Sequence, residues 1–358
     1  MEGEDIFHTT TGCICCNVRS DLLPVLQSLY AIHVKEPLDA LVVETTGLAS
    51  LNPVIQTFLR GDAADFTKLQ SVVTLVDAKH GPARLEERTP EFLDQLAYAD
   101  RIFLNKVDLV AERAELDEFS TALKQINPLA QFSETALHEG EGSSRAADLV
   151  LFDSGSGDAS AYDLHSLRPG IDRVEAALGA HGHSHSHSHS HSHSHGHGHG
   201  HGHGHGNGHH DHDHVHDDSV IAVSLELTGR PLDMNRVQGW IGTILLGDAS
   251  APENHEGNDI LRMKGLLRVV GGRNHDNDDD DDDDDDDDEG QLLAVQAVHA
   301  AFQGDFVESE TDAEHTSRIV FIGRGIDDGE LAAGLEACCA EGGEEGDVQV
   351  KVLTNRHH

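Results

Sequence analysis

Three of the chain's five cysteines lie within four positions, in the stretch Gly12-Cys13-Ile14-Cys15-Cys16. Thiolates this close together can bind one metal ion, because zinc and its neighbours prefer sulfur and nitrogen ligands. One short loop rarely supplies all four ligands, so we expect an open site at which the metal can exchange. The alternatives are small buried hydrophobic residues or a disulfide. A disulfide framework is typical of short secreted chains with more cysteines, so the pattern favours a metal site.

A second set of metal-binding side chains lies in an alternating His-Ser and His-Gly tract, which runs from His181 to His205. Neutral imidazoles have a pKa of about 6.5 and bind zinc, nickel, cobalt or copper at cytosolic pH. Because Gly and Ser separate them, we expect a flexible tract that collects metal without one defined site. A purification tag is the alternative, although tags are shorter and terminal. The candidate ligands are His181, His183, His185, His209, His210 and His212.

The elements after the cysteines predict the scaffold that positions them. Residues 21–29 have apolar positions at helical spacing, and a helix N-terminus just after the cysteines would favour thiolate over thiol. Apolar, β-branched runs at 38–44, 71–77 and 101–104 predict buried parallel strands, with a helix over 90–98. This alternation predicts an α/β fold whose functional site lies at the carboxyl ends of the strands.

The third predicted strand leads directly into Asn105-Lys106-Val107-Asp108. A carboxylate at Asp108 can accept both N1–H and N2–H of guanine, a donor pair that adenine does not offer. The Asn105 amide can bond the base edge and fix the loop, while the Lys106 stem packs along the ring. A plain surface turn is the alternative, but the position after a buried strand favours guanine binding.

Four motifs in this order resemble the CobW-type GTPases, which are P-loop metal chaperones and metal-insertion proteins. They are Gly-Cys-Ile-Cys-Cys, Glu-Thr-Thr-Gly-Leu-Ala from Glu44, Val-Asp-Ala from Val76 and Asn-Lys-Val-Asp-Leu from Asn105. The resemblance covers about residues 1–150 and resumes over 217–353. It implies a P-loop-GTPase-like, mostly parallel sheet, a His-rich disordered linker and a small α+β CobW C-terminal domain.

The resemblance also implies ligands and residue roles. It assigns a transition metal, zinc or cobalt with nickel as a third candidate, to Cys13, Cys15 and Cys16. Glu44 and Gly47 match the catalytic element near the γ-phosphate of GTP and its magnesium ion. The guanine-binding residues would be Asn105, Lys106 and Asp108. The implied partner is a client metalloprotein or the cobalt-insertion machinery of cobalamin synthesis.

One departure concerns the phosphate loop. No Gly-x-x-x-x-Gly-Lys-Ser/Thr occurs in the sequence, and without it the β-phosphate lacks its backbone cradle and its lysine. We therefore expect an N-terminally truncated GTPase domain, either a truncated product or one completed by another polypeptide. We expect this chain to hydrolyse no GTP by itself. The alternative function is a metal-buffering protein that uses no nucleotide.

The predicted domains are a partial GTPase domain over 1–150, a Gly/Ser/His-rich linker over 151–217 and an α+β domain over 218–358. In the last, strands are predicted at 219–227, 260–270, 291–302, 318–322 and 348–353, with helices at 233–246 and 328–338. An Asp-rich insertion at 274–290 contains the unbroken run 278–288. The aspartate run predicts a solvated loop, and a weak cation-binding segment is the alternative. Cys338, Cys339 and His299 are expected to be structural.

Composition limits the partners and the environment. The chain has 65 acidic and 24 basic residues and a formal net charge of −41, which disfavours nucleic acid as a partner. Such acidity fits a halophilic cytoplasm, in which salt screens the repulsion, although an ordinary acidic protein is the alternative. No apolar run approaches the roughly 18 residues that span a bilayer, and no signal peptide is recognisable. We expect a cytoplasmic protein without a membrane partner; a homo-oligomer is compatible with the sequence.

Overall fold

The computed structural model describes most of the two predicted globular parts. The described residues are 18–59, 62–137, 164, 167–178, 219–247, 259–271, 290–308, 316–340 and 348–355. The candidate ligands Cys13, Cys15 and Cys16 lie outside them, as do the candidate histidines from His181 to His212 and the aspartate run 278–288. Their assigned roles therefore stay predictions.

The N-terminal part contains a parallel sheet flanked by helices, as predicted for an α/β fold. Its first strand is not buried on both faces as predicted, because Leu75 is 58% exposed. Its strands are β1 (Val73–Asp77), β2 (Arg101–Asn105) and β3 (Gln131–Thr135), in the order β1-β2-β3. Its helices are α1 (Val18–His33), α2 (Leu51–Leu59), α3 (Gly81–Glu87), α4 (Pro90–Tyr98) and α5 (Arg113–Ile126). The helix predicted over 21–29 is confirmed as part of α1. The helix predicted over 90–98 is confirmed as α4.

The buried centre of this part explains why the middle strand forms. Ile102 and Leu104 of β2 are almost fully buried against Leu96 of α4 and Leu123 of α5. A strand covered on both faces needs a continuous apolar run, and Ile102-Phe103-Leu104 supplies it. Helix α4 starts at Pro90, where the missing N–H has no partner to lose. The same core therefore fixes the end of β2 from which Asn105 and the following loop extend.

The prediction of a strand over 38–44 is wrong. The structure gives residues 39–46 no strand, and Leu41, Val42 and Val43 are 46%, 67% and 37% exposed. Apolar side chains alone do not make a strand, because each strand needs a hydrogen-bonded neighbour. Within the described residues no strand pairs with this segment, so Glu44 follows an exposed stretch that is not part of the sheet.

The C-terminal part is an antiparallel sheet with two helices on one face, consistent with the predicted α+β domain. Its sheet order is β10-β4-β9-β6-β7-β8, with the short β5 beside β6. The strands are β4 (Ile221–Thr228), β5 (Leu232–Asp233), β6 (Asp259–Val270), β7 (Gln291–Val298), β8 (Ala301–Val307), β9 (Thr316–Arg324) and β10 (Gln349–Thr354). Two further helices, Met234–Leu246 and Asp328–Ala337, begin at aspartate caps, Asp233 and Asp327, whose carboxylates accept backbone N–H groups.

The single strand predicted over 291–302 is wrong, because the chain reverses at His299 and Ala300. Val298 and Ala301 form the closing pair of a hairpin between β7 and β8. His299 occupies a positive φ of 51°, as the first residue of a two-residue hairpin turn requires. Its ring stacks on Tyr98 at 6.4 Å between centroids, and it lies in the turn instead of within a strand as predicted. The apolar run continued through the turn, and periodicity alone did not reveal it.

Helix α6 (Arg168–Leu178) falls inside the segment predicted to be a linker. Ile171, Val174 and Leu178 are buried, and the helix contacts both α5 and the C-terminal sheet. The Gly/Ser/His composition that predicts flexibility does not extend to these residues. The two C-terminal helices are numbered α7 (Met234–Leu246) and α8 (Asp328–Ala337). No helix among the described residues combines the length and the apolar character that crossing a bilayer requires.

A buried ion pair joins the two parts at the start of β2. Arg262 of β6 is 1% exposed and pairs with the Asp100 carboxylate, and its Nη1 donates to the Tyr98 carbonyl at 2.6 Å. The other Asp100 oxygen accepts the Val72 N–H at 2.8 Å. Lys264, also on β6, lies 3.9 Å from the same carboxylate. The C-terminal sheet thus holds the backbone from which β2 begins.

Candidate functional site

The carboxyl ends of β1 and β2 bring together two of the chain's polar motifs. Asp77 ends β1 and Asn105 ends β2, and the two residues are register partners in the parallel pair. The Asn105 carbonyl accepts the Ala78 N–H at 2.8 Å, so the turns that leave both strands start side by side. This edge is where α/β sheets place their ligands.

Asn105 fixes the loop that follows β2. Its side-chain oxygen accepts the Leu137 N–H at 3.0 Å and the Thr135 hydroxyl at 3.3 Å, both just at or beyond the end of β3. These bonds use the amide oxygen to tie β2 to β3. Asn105 therefore positions residues 106–108 through its hydrogen bonds to the end of β3.

Lys106 turns the chain and reaches across to β1. It adopts a left-handed conformation with φ at 64°, which directs the backbone into a short 3₁₀ turn over Val107–Leu109. Its ammonium donates to the Asp77 carboxylate at 2.7 Å, and the side chain is about half exposed. Its aliphatic stem is thus held along the edge between the two strands.

Asp77, for which the sequence motifs predict no role, connects this loop to the turn after β1. One carboxylate oxygen of Asp77 accepts hydrogen bonds from the backbone N–H groups of Lys79 and His80, both at 2.9 Å. The other oxygen accepts a hydrogen bond from the Lys106 ammonium and lies 3.2 Å from Nδ1 of His80. Burial acts to raise the pKa of Asp77, but these hydrogen bonds outweigh it and hold the pKa well below its usual range. The available signal was an acid at the end of a predicted strand.

The turn after Asp77 allows close packing of α3. A Cβ on Gly81 would lie 2.5 Å from Cζ of Phe119 in α5, and Phe119 is itself buried. Only glycine fits at this start of α3. The close approach of α3 and α5 therefore holds the Asp77 turn against the core.

Asp108 lies on the 3₁₀ turn and is exposed, whereas the preceding Val107 packs against the core. The predicted guanine-binding residues Asn105, Lys106 and Asp108 are therefore on one loop at the sheet edge. A carboxylate on an exposed turn next to a fixed amide can accept two parallel N–H donors of a planar base.

The predicted catalytic residues Glu44 and Gly47 lie in a different segment, the turn before α2. Glu44 and Gly47 are both exposed, and Ala49 is buried with its N–H bonded to the Thr46 carbonyl at 3.0 Å. Gln95 of α4 donates to the Ala49 carbonyl at 3.3 Å, which attaches this turn to the core.

The two described cysteines are packed rather than arranged as ligands. Cys338 is 3% exposed, and burial raises the pKa of its thiol to about 11; burial also raises the pKa of Cys339. A thiol with a raised pKa is a poor metal ligand, because the thiolate is the form that binds. Across the described ranges, no group of three or more His, Cys, Asp or Glu side chains could hold a metal ion.

Two family models match the chain. The CobW/HypB/UreG nucleotide-binding domain matches residues 1–134, and the cobalamin synthesis protein cobW C-terminal domain matches residues 285–339. Together they match more than half of the 358 residues, in the order that the motifs predict.

Similar proteins include the zinc-regulated GTPase metalloprotein activator 1 of Schizosaccharomyces pombe. The two are 33% identical over 155 residues, which is 42% of this chain and 37% of that protein. The zinc chaperone YjiA of Escherichia coli strain K12 is 37% identical over 114 residues, 30% of this chain and 35% of that protein. The chain thus spans just over a third of the length of these curated relatives.

A solved structure supports the fold. The crystal structure of Zn(II)-bound YjiA GTPase from E. coli matches 91% of this chain and 78% of that chain, with a TM-score of 0.54 and 21% identity. At this identity the likeness concerns the fold alone. With both domain models matched in order on a parallel sheet and an antiparallel one, the chain belongs to the CobW family of proteins.

Proposed function

We propose that this chain is the guanine-recognising and metal-binding part of a GTP-dependent metal chaperone, which carries zinc to client metalloproteins. One observation supports this most. The Asn105–Asp108 loop lies at the carboxyl end of β2, with Asn105 fixed to β3 and Lys106 fixed to Asp77 of β1. A surface turn needs no such attachment on both sides. The names of the similar proteins, a metalloprotein activator and a zinc chaperone, point the same way.

In this proposal, Asp108 distinguishes guanine from other bases. Its carboxylate accepts N1–H and N2–H of the base, while adenine offers no donor at its C2 position. Hydrogen bonds between a carboxylate and two parallel donors are strong and directional. A site built for these donors discriminates sharply, because a base without them leaves the acceptors unpaired.

Zinc is the proposed cargo, bound by the thiolates of Cys13, Cys15 and Cys16. Cys16 precedes the first residue of α1, Val18, by two positions in sequence. A helix N-terminus close to the cysteines would favour their thiolate forms. Cobalt and nickel accept the same donor atoms and remain alternative cargoes. The His181–His205 tract would raise the local metal concentration near these thiolates.

The fold offers a route by which nucleotide could affect the metal. Helix α1 packs against α2, and α2 starts directly after the turn that contains Glu44 and Gly47. A γ-phosphate and its magnesium ion near Glu44 would shift that turn, and α2 would pass the shift to α1 and the adjoining cysteines. Hydrolysis by this chain alone is not expected, since the phosphate-loop motif does not occur in it.

A chelator competition tests the proposal on the full chain. Zinc affinity is measured with GTP, GDP, ATP or no nucleotide, for the wild type and for the chain with Cys13→Ser, Cys15→Ser and Cys16→Ser. We expect a tight site that the serines abolish, and an affinity that guanine nucleotides change by roughly 5-fold or more. Adenine nucleotide should have no effect. A chain with His181, His183 and His185 replaced by Gln is the control and should keep the tight site.

The second candidate function is metal buffering without nucleotide, and the length of the His-Gly and His-Ser tract favours it. In that case the wild-type zinc affinity is the same with every nucleotide. Several zinc ions then bind to the histidine tract with lower affinity, and the serine substitutions remove only part of the chain's zinc-binding capacity. The same titration therefore separates the two functions.

A further inference from the structure

In the part of the chain that the structure describes, strand β8 forms an open edge of the C-terminal sheet. Its strand neighbour among the described residues is β7 alone. Its sequence, AFQGDFV, contains neither lysine nor proline, which natural proteins commonly use to protect such edges. Phe302 and Phe306 are instead 43% and 37% exposed. An edge of this kind is suited to pairing with another strand.

The two phenylalanines extend the buried core beyond the edge. The register of β7 and β8 sets Phe306 opposite Leu293, Gly304 opposite Val295 and Phe302 opposite Ala297. These three β7 residues belong to the core beneath α7 and α8. Phe302 and Phe306 therefore continue the apolar face of the sheet, and their outer sides are left partly uncovered.

The backbone of β8 directs alternate hydrogen-bonding groups outwards. Val298 and Ala301 close the two-residue turn and so form a hydrogen-bonded pair; along an antiparallel ladder such pairs alternate with non-bonded ones. Phe302, Gly304 and Phe306 thus present their N–H and C=O groups to the open edge. Consistent with this, the Phe306 N–H is bonded at 2.8 Å to the side chain of Asp305 rather than to β7.

We propose that two copies of this chain associate through β8, in an antiparallel pair whose two-fold axis passes Gly304. The outward groups of Phe302, Gly304 and Phe306 then meet the same groups of the second copy. A symmetric interface requires a patch that complements itself, and the sequence Phe302-Gln303-Gly304-Asp305-Phe306 reads almost the same in both directions. The proposal does not depend on the function proposed above.

The side chains of β8 complement each other in this register. Phe302 of each copy lies opposite Phe306 of the other, so the two-fold axis produces this aromatic pair twice. Cross-strand aromatic pairs stabilise antiparallel strands. On the other face, Gln303 lies opposite Asp305 of the second copy, so neither aspartate faces its own charge. The β8 edge of a second copy therefore complements this edge on its apolar face and on its polar face.

Gly304 is the one β8 position that would face itself across the axis. A Cβ there would lie 3.2 Å from Cζ of Phe302, so the glycine leaves room for the end of this ring. That arrangement leaves the ring on the apolar face, where the second copy would cover it.

Two features oppose the association, and both make it testable. The Asp305 carboxylate occupies the Phe306 N–H and must release it on pairing. The net charge of −41 repels two copies at low ionic strength and is screened by salt. Dimerisation should therefore strengthen with salt and with the substitution Asp305→Asn.

Sedimentation equilibrium of the full chain at roughly 0.1 M and 2 M salt measures the association. We expect a monomer–dimer equilibrium whose dissociation constant falls at high salt, and which Phe306→Lys weakens by about tenfold or more. Leu246→Lys is the matched control, because Leu246 is 74% exposed on α7 and outside the edge. That variant should dimerise like the wild type.

Disulfide trapping tests the register. An isotopically labelled Gln303→Cys chain is mixed with an unlabelled Asp305→Cys chain under mild oxidation, and the cross-linked peptides are identified by mass spectrometry. The proposed register predicts a 303–305 cross-link between the two chains and little 303–303 cross-link in the Gln303→Cys chain alone. A chain that stays monomeric at high salt overturns the proposal. A dimer whose dissociation constant is unchanged by Phe306→Lys, or one that gives no 303–305 cross-link, also overturns the proposal.

Discussion

The Lys106 ammonium lies 2.7 Å from the Asp77 carboxylate, so a charge-assisted hydrogen bond joins the loops that follow β1 and β2. Asp77 also accepts two backbone N–H groups that start the turn into α3. One carboxylate thus fixes both the turn after β1 and the lysine of the proposed base-binding loop. Its replacement should affect stability and guanine recognition together.

The substitution Asp77→Asn tests this relationship. Asparagine keeps an acceptor oxygen for the turn but loses the charge that holds Lys106, so we expect the free energy of unfolding to fall by about 1 kcal/mol. Urea unfolding at neutral pH measures it. His80→Ala removes only an exposed contact to the same carboxylate and should cost less. Equal stability of Asp77→Asn and wild type would contradict a stabilising role for the pair.

The acid dependence of the same pair follows from the lowered pKa of Asp77. The unfolded carboxyl group, with an ordinary value near 3.8, binds protons at a higher pH than the folded one. The stabilisation is therefore complete above that value and is lost as the pH falls towards the folded pKa. Thermal unfolding of wild type and Asp77→Asn should converge on acidification. A stability difference that does not narrow between about pH 4 and pH 2 would contradict the assignment.

Removing Arg262 should destabilise the contact between the two parts of the chain. Arg262→Met leaves the Asp100 carboxylate, whose side chain is 3% exposed, without its main counter-ion, at a cost of roughly 3–5 kcal/mol. The double variant Arg262→Met with Asp100→Asn removes the buried charge as well and should recover part of that loss. A double-mutant cycle by urea unfolding measures the coupling. Strictly additive effects would show that the pair does not act as a unit.

Lys264 should make stability depend on alkaline pH. Burial, with the neighbouring Arg262 charge, lowers the pKa of Lys264 to about 7. Between about 7 and the ordinary value of 10.5 the unfolded chain binds the proton and the folded one does not, so stability rises with pH in this window. Lys264→Met removes this dependence. The difference in unfolding free energy between wild type and variant should change from pH 7 to pH 10, and a flat difference would refute the shift.

Sequence patterns predicted the elements whose environment is local and failed where a neighbour decides. Ile102-Phe103-Leu104 formed β2 because its apolar run is covered on both faces. The similar run Leu41-Val42-Val43 did not, since no described strand pairs with it. Periodicity measures side-chain character, and a strand also needs a partner for its backbone.

The candidate site was predicted in the same uneven way. Asn105, Lys106 and Asp108 were predicted from a motif that follows a strand, and the structure places them on one loop. Asp77 was missed, because its role depends on Lys106, which is 29 positions away in sequence. The pairing of Arg262 with Asp100 spans 162 positions and leaves no local signal either. Contacts between distant residues appear only when the fold brings them together.

Substitution of Asp108 shows whether the loop after β2 recognises guanine. The measurement is the affinity of the full chain for GDP, XDP and ADP, for wild type and Asp108→Asn, by ligand-observed NMR competition. Asparagine can donate to the xanthine C2 carbonyl while it accepts N1–H, so its hydrogen bonds match xanthine instead of guanine. We predict that the wild type prefers GDP and that Asp108→Asn prefers XDP. Equal affinities of the wild type for GDP and ADP, or an unchanged preference in the variant, would contradict guanine recognition by this loop.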